Sequence, residues 1–267
     1  MLSKIKFREN ANIVNVFTNT RGKVSGIIYG GSSRKIRNFL QISNKIFIIY
    51  SSKSENRLGY FKTELIEAIS PKYFDDKKKT TALLSSSSIL NLLLPESQPY
   101  KKLYISLDNL LKNFDKDDWI IHYIYWELLL LKELGFDPYL EQFFDKDNDK
   151  TTQKTIEIDN VKYQVPTFLL SKKKIEVLDS KEITTALSFT RNILTNKFFL
   201  PNNLLFPKSR IGLENYFNWF ATSNAKYVTI AFDPARFKEI KLSRIASSLI
   251  IPFWIPFLIN EYSPETW

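Results

Sequence analysis

The chain has 267 residues but no cysteine, one histidine, one methionine and only seven glycines. Without thiols it can form neither disulfides nor thiolate metal sites, and a cysteine nucleophile is excluded with them. A single imidazole, His122, cannot furnish a histidine-rich metal centre. Long hydrophobic runs are also missing. The most apolar stretch, Leu249–Ile259, is interrupted by Pro252 and Pro256 and falls short of the ~20 residues that a membrane-spanning helix needs. No apolar run of signal-peptide length follows Lys4, Lys6, Arg8 and Glu9. A cytoplasmic protein is the expectation.

Acidic residues are scarce in one region only. The first 63 residues hold twelve Lys and Arg against Glu9 and Glu55, whereas the other 204 carry 26 of each sign. The whole net charge of +10 therefore sits at the N-terminal end, together with five of the seven glycines. With 44% hydrophobic and 15% aromatic residues, the chain is rich enough to fold and is not a disordered basic tail. A small basic module on a neutral body points to a polyanion as partner.

Periodicity divides the chain in the same place. Residues Ile13–Phe17, Lys23–Tyr29, Lys45–Ser51 and Leu58–Ile69 read as short strands, with turn chemistry at Thr18-Asn-Thr-Arg-Gly22 and a polar loop from Gly30 to Arg37. This spacing predicts a small antiparallel barrel, with Gly26 as a bend inside a strand. After Pro71 the period becomes helical. Helices are predicted over Thr80–Leu94, over Tyr100–Phe114 and from Trp119 to Leu134. Gly135 caps the last of these, which is apolar enough to be the centre of a bundle. A small hairpin around Asp159-Asn160, a helix over Ser180–Phe198 and a last one starting near Pro207 complete the pattern. The expected domains are 1–70, 71–218 and an unassigned extension at 219–267.

The motif with the most chemistry is Gly30-Gly-Ser-Ser-Arg-Lys-Ile-Arg37. Guanidinium and ammonium groups on such a loop can follow a phosphate backbone without reading bases. A solvated surface loop would have the same composition, and the binding reading rests on the excess charge concentrated around it. The expected nucleic-acid-binding residues are Arg21, Lys23, Arg34, Lys35, Arg37, Lys45 and Arg57. Tyr29 and Phe39 flank the loop and would suit stacking on single-stranded bases, although barrel core is the commoner place for such rings. Lys79-Thr80-Thr81 lacks the glycines of a phosphate-binding P-loop. Asp145, Asp147 and Asp149 have the spacing of a calcium loop without its glycine and glutamate, and read as a solvated turn. His122 lies on an aromatic helix with no nucleophile near it in sequence and reads as a packed structural residue. No catalytic set is assembled, and no cofactor or small-molecule substrate is expected.

In order and spacing these features resemble the RecO family of bacterial DNA repair and recombination mediators, over roughly residues 2–217. The resemblance is carried by Thr18 to Gly22, by Gly30-Gly31 followed by Arg34, Lys35 and Arg37, and by Leu94-Pro95-Glu96. It continues in Trp126-Glu-Leu-Leu through Leu131-Lys-Glu-Leu-Gly-Phe136 and in Pro207-Lys-Ser-Arg210. It implies an α+β protein: an N-terminal oligonucleotide-binding (OB) type antiparallel β-barrel followed by an α-helical bundle. Many members carry a four-cysteine zinc site in the stretch corresponding to Tyr139–Val165. That stretch has no cysteine here, so no metal is expected. Members also have several more residues ahead of Leu2, which implies a short first strand, and nothing in the family corresponds to residues after about Asn218.

The resemblance further implies a non-enzymatic protein that binds single- and double-stranded DNA and anneals complementary strands. With a RecR-like partner it would help load the RecA recombinase onto DNA coated by single-strand-binding protein, whose C-terminal tail the helical body would contact. The residues themselves leave an alternative open, a sequence-independent RNA-binding OB-fold protein, because a basic barrel does not choose between nucleic acids. A peripheral membrane protein and a hydrolase are weaker alternatives.

Overall fold

Alternation of β-branched or aromatic residues with polar ones builds the N-terminal sheet. The computed structural model describes residues 1–30, 33–52, 58–144, 152–171 and 178–229. Its first elements are β1 (Ser3–Arg8), β2 (Ala11–Thr18), β3 (Gly22–Tyr29), the short helix α1 (Arg34–Phe39), β4 (Lys45–Ser51) and β5 (Tyr60–Glu67). The strand order is β1-β2-β3-β5-β4. Neighbours are antiparallel except β3 and β5, which run parallel at Ile27 and Tyr60, with the Ile27 N–H donating to the Gly59 carbonyl at 2.9 Å. The sheet is thus mixed and of OB type. Among the described residues β1 and β4 do not pair to close it. The parallel step has a topological cause: two parallel neighbours need a crossover between them, and α1 and β4 supply it.

Even-numbered residues of β2 and β3 point inward. Val14, Val16, Val24 and Ile28 join Leu40 and Phe61 in a small core. Gly26 faces the Phe61 ring, whose nearest atom lies 2.6 Å from where a Cβ would stand. Its role in the strand is to make room for that ring.

Two N-terminal expectations change. Lys4-Ile-Lys-Phe-Arg8, read only as charge, is a strand of six residues beside the eight of β2. The basic loop ends in a helix, because the Ser33 side chain caps it by accepting from the Ile36 N–H at 3.4 Å. Because β5 runs on through Glu64 to Glu67, residues 1–69 carry +8 rather than +10.

The helical body follows its sequence closely. Asp76 caps α2 (Lys77–Leu93), accepting from the Lys79 N–H at 3.0 Å, and Pro95 stands just past its end. Next come α3 (Lys101–Lys112) and α4 (Trp119–Glu133). At Gly135 the Phe136 N–H reaches the Leu131 carbonyl and the Gly135 N–H that of Lys132, a complete Schellman end. β6 (Gln153–Ile158) and β7 (Val161–Pro166) form the expected hairpin. Positive φ at both Asp159 and Asn160 suits a type I′ turn. An Asp179/Glu182 capping box opens α5 (Ser180–Leu194), and α6 (Lys208–Thr229) starts after Pro207.

The hairpin buries Ile156, Tyr163 and Val165, with the Tyr163 ring edge-on to Phe189 of α5 at 5.8 Å. The stretch for which the resemblance implies a zinc site in other chains is here anchored by apolar packing of the hairpin. Its residues do not fit that metal: cysteine is absent, and no group of three or more candidate ligands occurs among the described residues. The Asp145-Asp147-Asp149 spacing, the loop at Lys53–Arg57 and the apolar tail at Leu249–Ile259 lie outside the described residues. His122 differs from its expectation. It is 38% exposed and stands 3.6 Å from Asp118 at the start of α4.

A charged cluster lies inside the body. Arg210 (α6) and Glu127 (α4) have fully buried side chains and pair through two hydrogen bonds of 2.6 and 3.0 Å. Arg210 also donates to the Leu187 carbonyl at 2.7 Å, and Thr190 Oγ1 donates to Glu127 at 2.5 Å. Glu214 accepts from Arg191 at 2.9 Å and lies 3.5 Å from Arg210. Burial opposes the charge on Arg210, but the adjoining Glu127 outweighs it and raises the guanidinium's proton affinity. The pair ties α4, α5 and α6 together at one point.

Candidate nucleic-acid interface

Residues Met1–Ser223 form one compact unit, so the barrel's cations can be placed against the helical body. The Gly30 N–H bonds the Asn10 carbonyl at 2.8 Å, and the Ser33 N–H bonds Gly30 at 2.9 Å. These two bonds hang α1 beside the β1–β2 turn. Ile36 and Phe39 of α1 pack on the barrel core, which turns Arg34 and Arg37 out to solvent. Phe39 is thereby committed to packing, while Tyr29 is 60% exposed.

Arg37 meets a second set of cations there. A cleft of about 240 Å³ is lined by Lys4, Lys6, Arg8, Glu9, Ala11, Asn12 and Arg37. Lys4 is steadied by donating to the Leu40 carbonyl at 2.8 Å. Lys6, Arg8, Arg34 and Arg37 are exposed, and among the described residues none of them forms an ion pair, with Glu9 the one acid lining the cleft. Such a cluster, free of sequence-reading geometry, suits phosphates. Lys6 and Arg8 were not among the expected site residues. Their signal was the period-two alternation of Lys4-Ile-Lys-Phe-Arg8, which marks a strand; Lys4 and Lys6 share a face, and the register shift before Arg8 brings that residue to the same cleft.

The other expected residues are placed differently. Arg21 is exposed on the β2–β3 turn, with its guanidinium 5.9 Å from the Tyr50 ring centroid. Lys35 belongs to α1, and Arg57 lies outside the described residues. Lys23 and Lys45 turn toward the helical body. Lys23 Nζ donates to the Asn91 carbonyl at 2.9 Å. Partial burial lowers its pKa, with Glu96 pulling the other way. Lys45 pairs with Asp108 at 2.5 Å, and that hydrogen bond raises its pKa. Both ammonium groups belong to the seam between barrel and body.

That seam is extensive. The Leu94-Pro95-Glu96 turn docks on β3: the Ser97 N–H donates to the Lys23 carbonyl at 2.8 Å, and Ser25 bonds Glu96. Asn91 accepts from Asn15 at 2.7 Å and from Ser3 at 3.3 Å. Gly22, with φ +66°, passes so close to Gln98 that a Cβ would lie 1.7 Å from its carbonyl oxygen. The interface cations are thus mounted on a barrel that is held rigidly to the helices.

The same two stretches, barrel and first helices, are what comparison with known proteins recognises. The model for the N-terminal part of recombination protein O matches residues 1–69, and the model for its C-terminal part matches residues 75–156. The chain belongs to the RecO family. Among its relatives, the DNA repair protein RecO of Roseobacter denitrificans is 29% identical over 142 residues, 53% of this chain and 59% of the relative. That of Wolbachia sp. subsp. Drosophila simulans is 36% identical over 135 residues, 49% of this chain and 55% of the relative. That of Ruegeria sp. is 30% identical over 137 residues, 51% and 57%. The match therefore spans a little over half the length of these RecO relatives. Helices α5 and α6, with Arg210, lie beyond the family-model matches. No helix among the described residues is long and apolar enough to cross a membrane.

Proposed function

We propose that this chain is a DNA repair and recombination mediator that acts by binding rather than by catalysis. Residues 1–70 would serve as the DNA-binding domain and 71–218 as the partner-docking body. The observation that carries the reading is the convergence of Arg37 with Lys4, Lys6 and Arg8 around one cleft of the barrel, with Arg34 exposed on the same short helix as Arg37. Sequence-independent phosphate attraction there accommodates single and double strands alike. Holding two complementary strands at one cationic surface lowers their mutual repulsion, which is the physical requirement for annealing. Arg21, Lys35 and Arg57 would extend the surface.

On the helical side, Leu200 and Leu205 are 64% and 90% exposed and offer apolar footing for protein partners. These would be a RecR-like protein and the acidic tail of single-strand-binding protein, the route by which a recombinase would be loaded. The test is annealing of complementary strands coated with single-strand-binding protein, by the wild type and by the Arg34→Ala/Lys35→Ala/Arg37→Ala variant. The variant is expected to anneal poorly and to bind DNA with a shallower salt dependence. Wild-type binding by the variant at every salt concentration would remove α1 from the interface. A strong preference for RNA over a matched single-stranded DNA would replace the repair reading with the RNA-binding one.

A further inference from the structure

Strand β1 has a partner on one side only; among the described residues nothing pairs with its outer edge. Its residues alternate Lys4, Ile5, Lys6, Phe7, Arg8. In the ladder Lys4 stands opposite Val14 and Lys6 opposite Asn12, whereas Ile5 stands opposite Ile13. Successive side chains leave opposite faces of a strand, so the two lysines and Ile5 point to different sides. The cationic side opens on the cleft shared with Arg37. The other side continues through Ile13 and Ile27, which pair with each other, to Tyr29 two residues further along β3. On it Ile5 is 62% and Tyr29 60% exposed. The register shifts between Lys6 and Arg8 and sets Arg8 opposite Ala11, which itself pairs with Tyr29, so Arg8 stands at the junction of the two sides while still lining the cleft. Phe7, at that shift, is 44% exposed, with the Arg8 guanidinium 5.2 Å from its ring centroid.

We propose that the free edge of β1 is a track for single-stranded DNA. The phosphates lie along Lys6, Arg8 and Arg37, and the unpaired bases fold over the edge onto Ile5, Phe7 and Tyr29. This rests on the DNA-binding reading above and adds a basis for distinguishing single strands from duplex. A duplex can use the cationic side alone, because its bases are already paired and stacked. The apolar side therefore serves unpaired bases, whose faces any aromatic ring can receive. The same lysines and arginine disfavour an added polypeptide strand on this edge. That leaves a polyanion as the occupant whose charge matches.

The experiment measures affinity of the full chain for labelled oligothymidine and for a matched duplex across a salt series. Phe7→Ala/Tyr29→Ala is expected to lower single-strand affinity by about tenfold or more and to leave duplex affinity unchanged, which also shows that the variant is folded. Tyr29→Phe keeps the ring and retains wild-type single-strand binding. Lys6→Ala/Arg8→Ala lowers both affinities and reduces the single-strand salt slope by about 1.4. The track is overturned if Phe7→Ala/Tyr29→Ala leaves single-strand affinity intact or lowers duplex affinity equally. If that happens while Arg34→Ala/Lys35→Ala/Arg37→Ala still weakens binding, only the track fails. If neither variant weakens binding, the DNA-binding reading fails with it.

Discussion

In the barrel, Lys6, Arg8, Arg34 and Arg37 stand in solvent around a core of six buried apolar residues. In the helical body Arg210 has no exposed side-chain surface and is held by Glu127 inside a much larger core. Both regions contain arginine, and the arginines do opposite work. Around α1, among the described residues, no ion pair engages these charges and Glu9 is the one carboxylate lining their cleft, which leaves a net positive surface. Inside the body the charge is cancelled where it stands, and what remains is a geometric tie between three helices. The distribution of carboxylates, rather than the number of cations, separates a binding surface from a structural joint.

Removing one side of the joint tests the contrast most severely. Glu127→Ala leaves the Arg210 guanidinium buried without its partner, and the expected loss is about 3–5 kcal/mol in urea unfolding. Replacing Glu127 and Arg210 together by apolar residues of similar volume should cost much less, since no uncompensated charge remains. A second break separates the two regions. Gly22→Ala forces a Cβ against the Gln98 carbonyl at a positive φ, and about 2 kcal/mol or more is expected. Hydrogen exchange should report the opening first at the β3 seam.

The barrel's own cations predict a different outcome. Arg34→Ala/Lys35→Ala/Arg37→Ala should leave the melting temperature nearly unchanged and lower the duplex salt slope by about 2–3 if all three meet phosphates. The smallest effect is expected at Lys45–Asp108. Burial raises the Asp108 pKa, but hydrogen bonds from Lys112 and Lys45 outweigh it and hold the carboxyl below the ordinary aspartate range. Stability from this group is present above its unfolded pKa and is lost as pH falls through the lower folded value. Asp108→Asn should cost up to ~1 kcal/mol at neutral pH, and wild type and variant should converge in acid.

Much of the fold was legible locally. Pro95 and Gly135 mark helix ends by chemistry that acts within one turn; the caps at Asp76 and at Asp179 with Glu182 are equally local but went unread, so that α2, expected from Thr80, begins at Lys77. Asp159-Asn160 marks its turn in the same way, and the central place of α4 follows from aromatic and aliphatic residues on most of its sides. What could not be read were the pairings. Lys23 and Lys45 looked like the other barrel cations, and only the docking of α2, α3 and the Leu94-Pro95-Glu96 turn assigns them to the seam. Arg210 looked like the end of a family motif, and nothing local tied it to Glu127, 83 residues earlier.

By itself, then, the sequence determined most of the helices and strands, though its residues showed β1 only as charge and α1 only as a loop, and it determined where the excess positive charge is carried and that no thiol or histidine-rich metal chemistry exists in this chain. The tertiary structure alone decided which cations are spent inside the protein and which remain at the surface. It also left β1 unpaired on its outer side among the described residues, with Lys4 and Lys6 on one face and Ile5 on the other. The physical reason is range. Caps, turns and periodicity act over a few residues, whereas the neutralisation of a charge depends on which carboxylate or carbonyl the folded chain brings within about 3 Å of it.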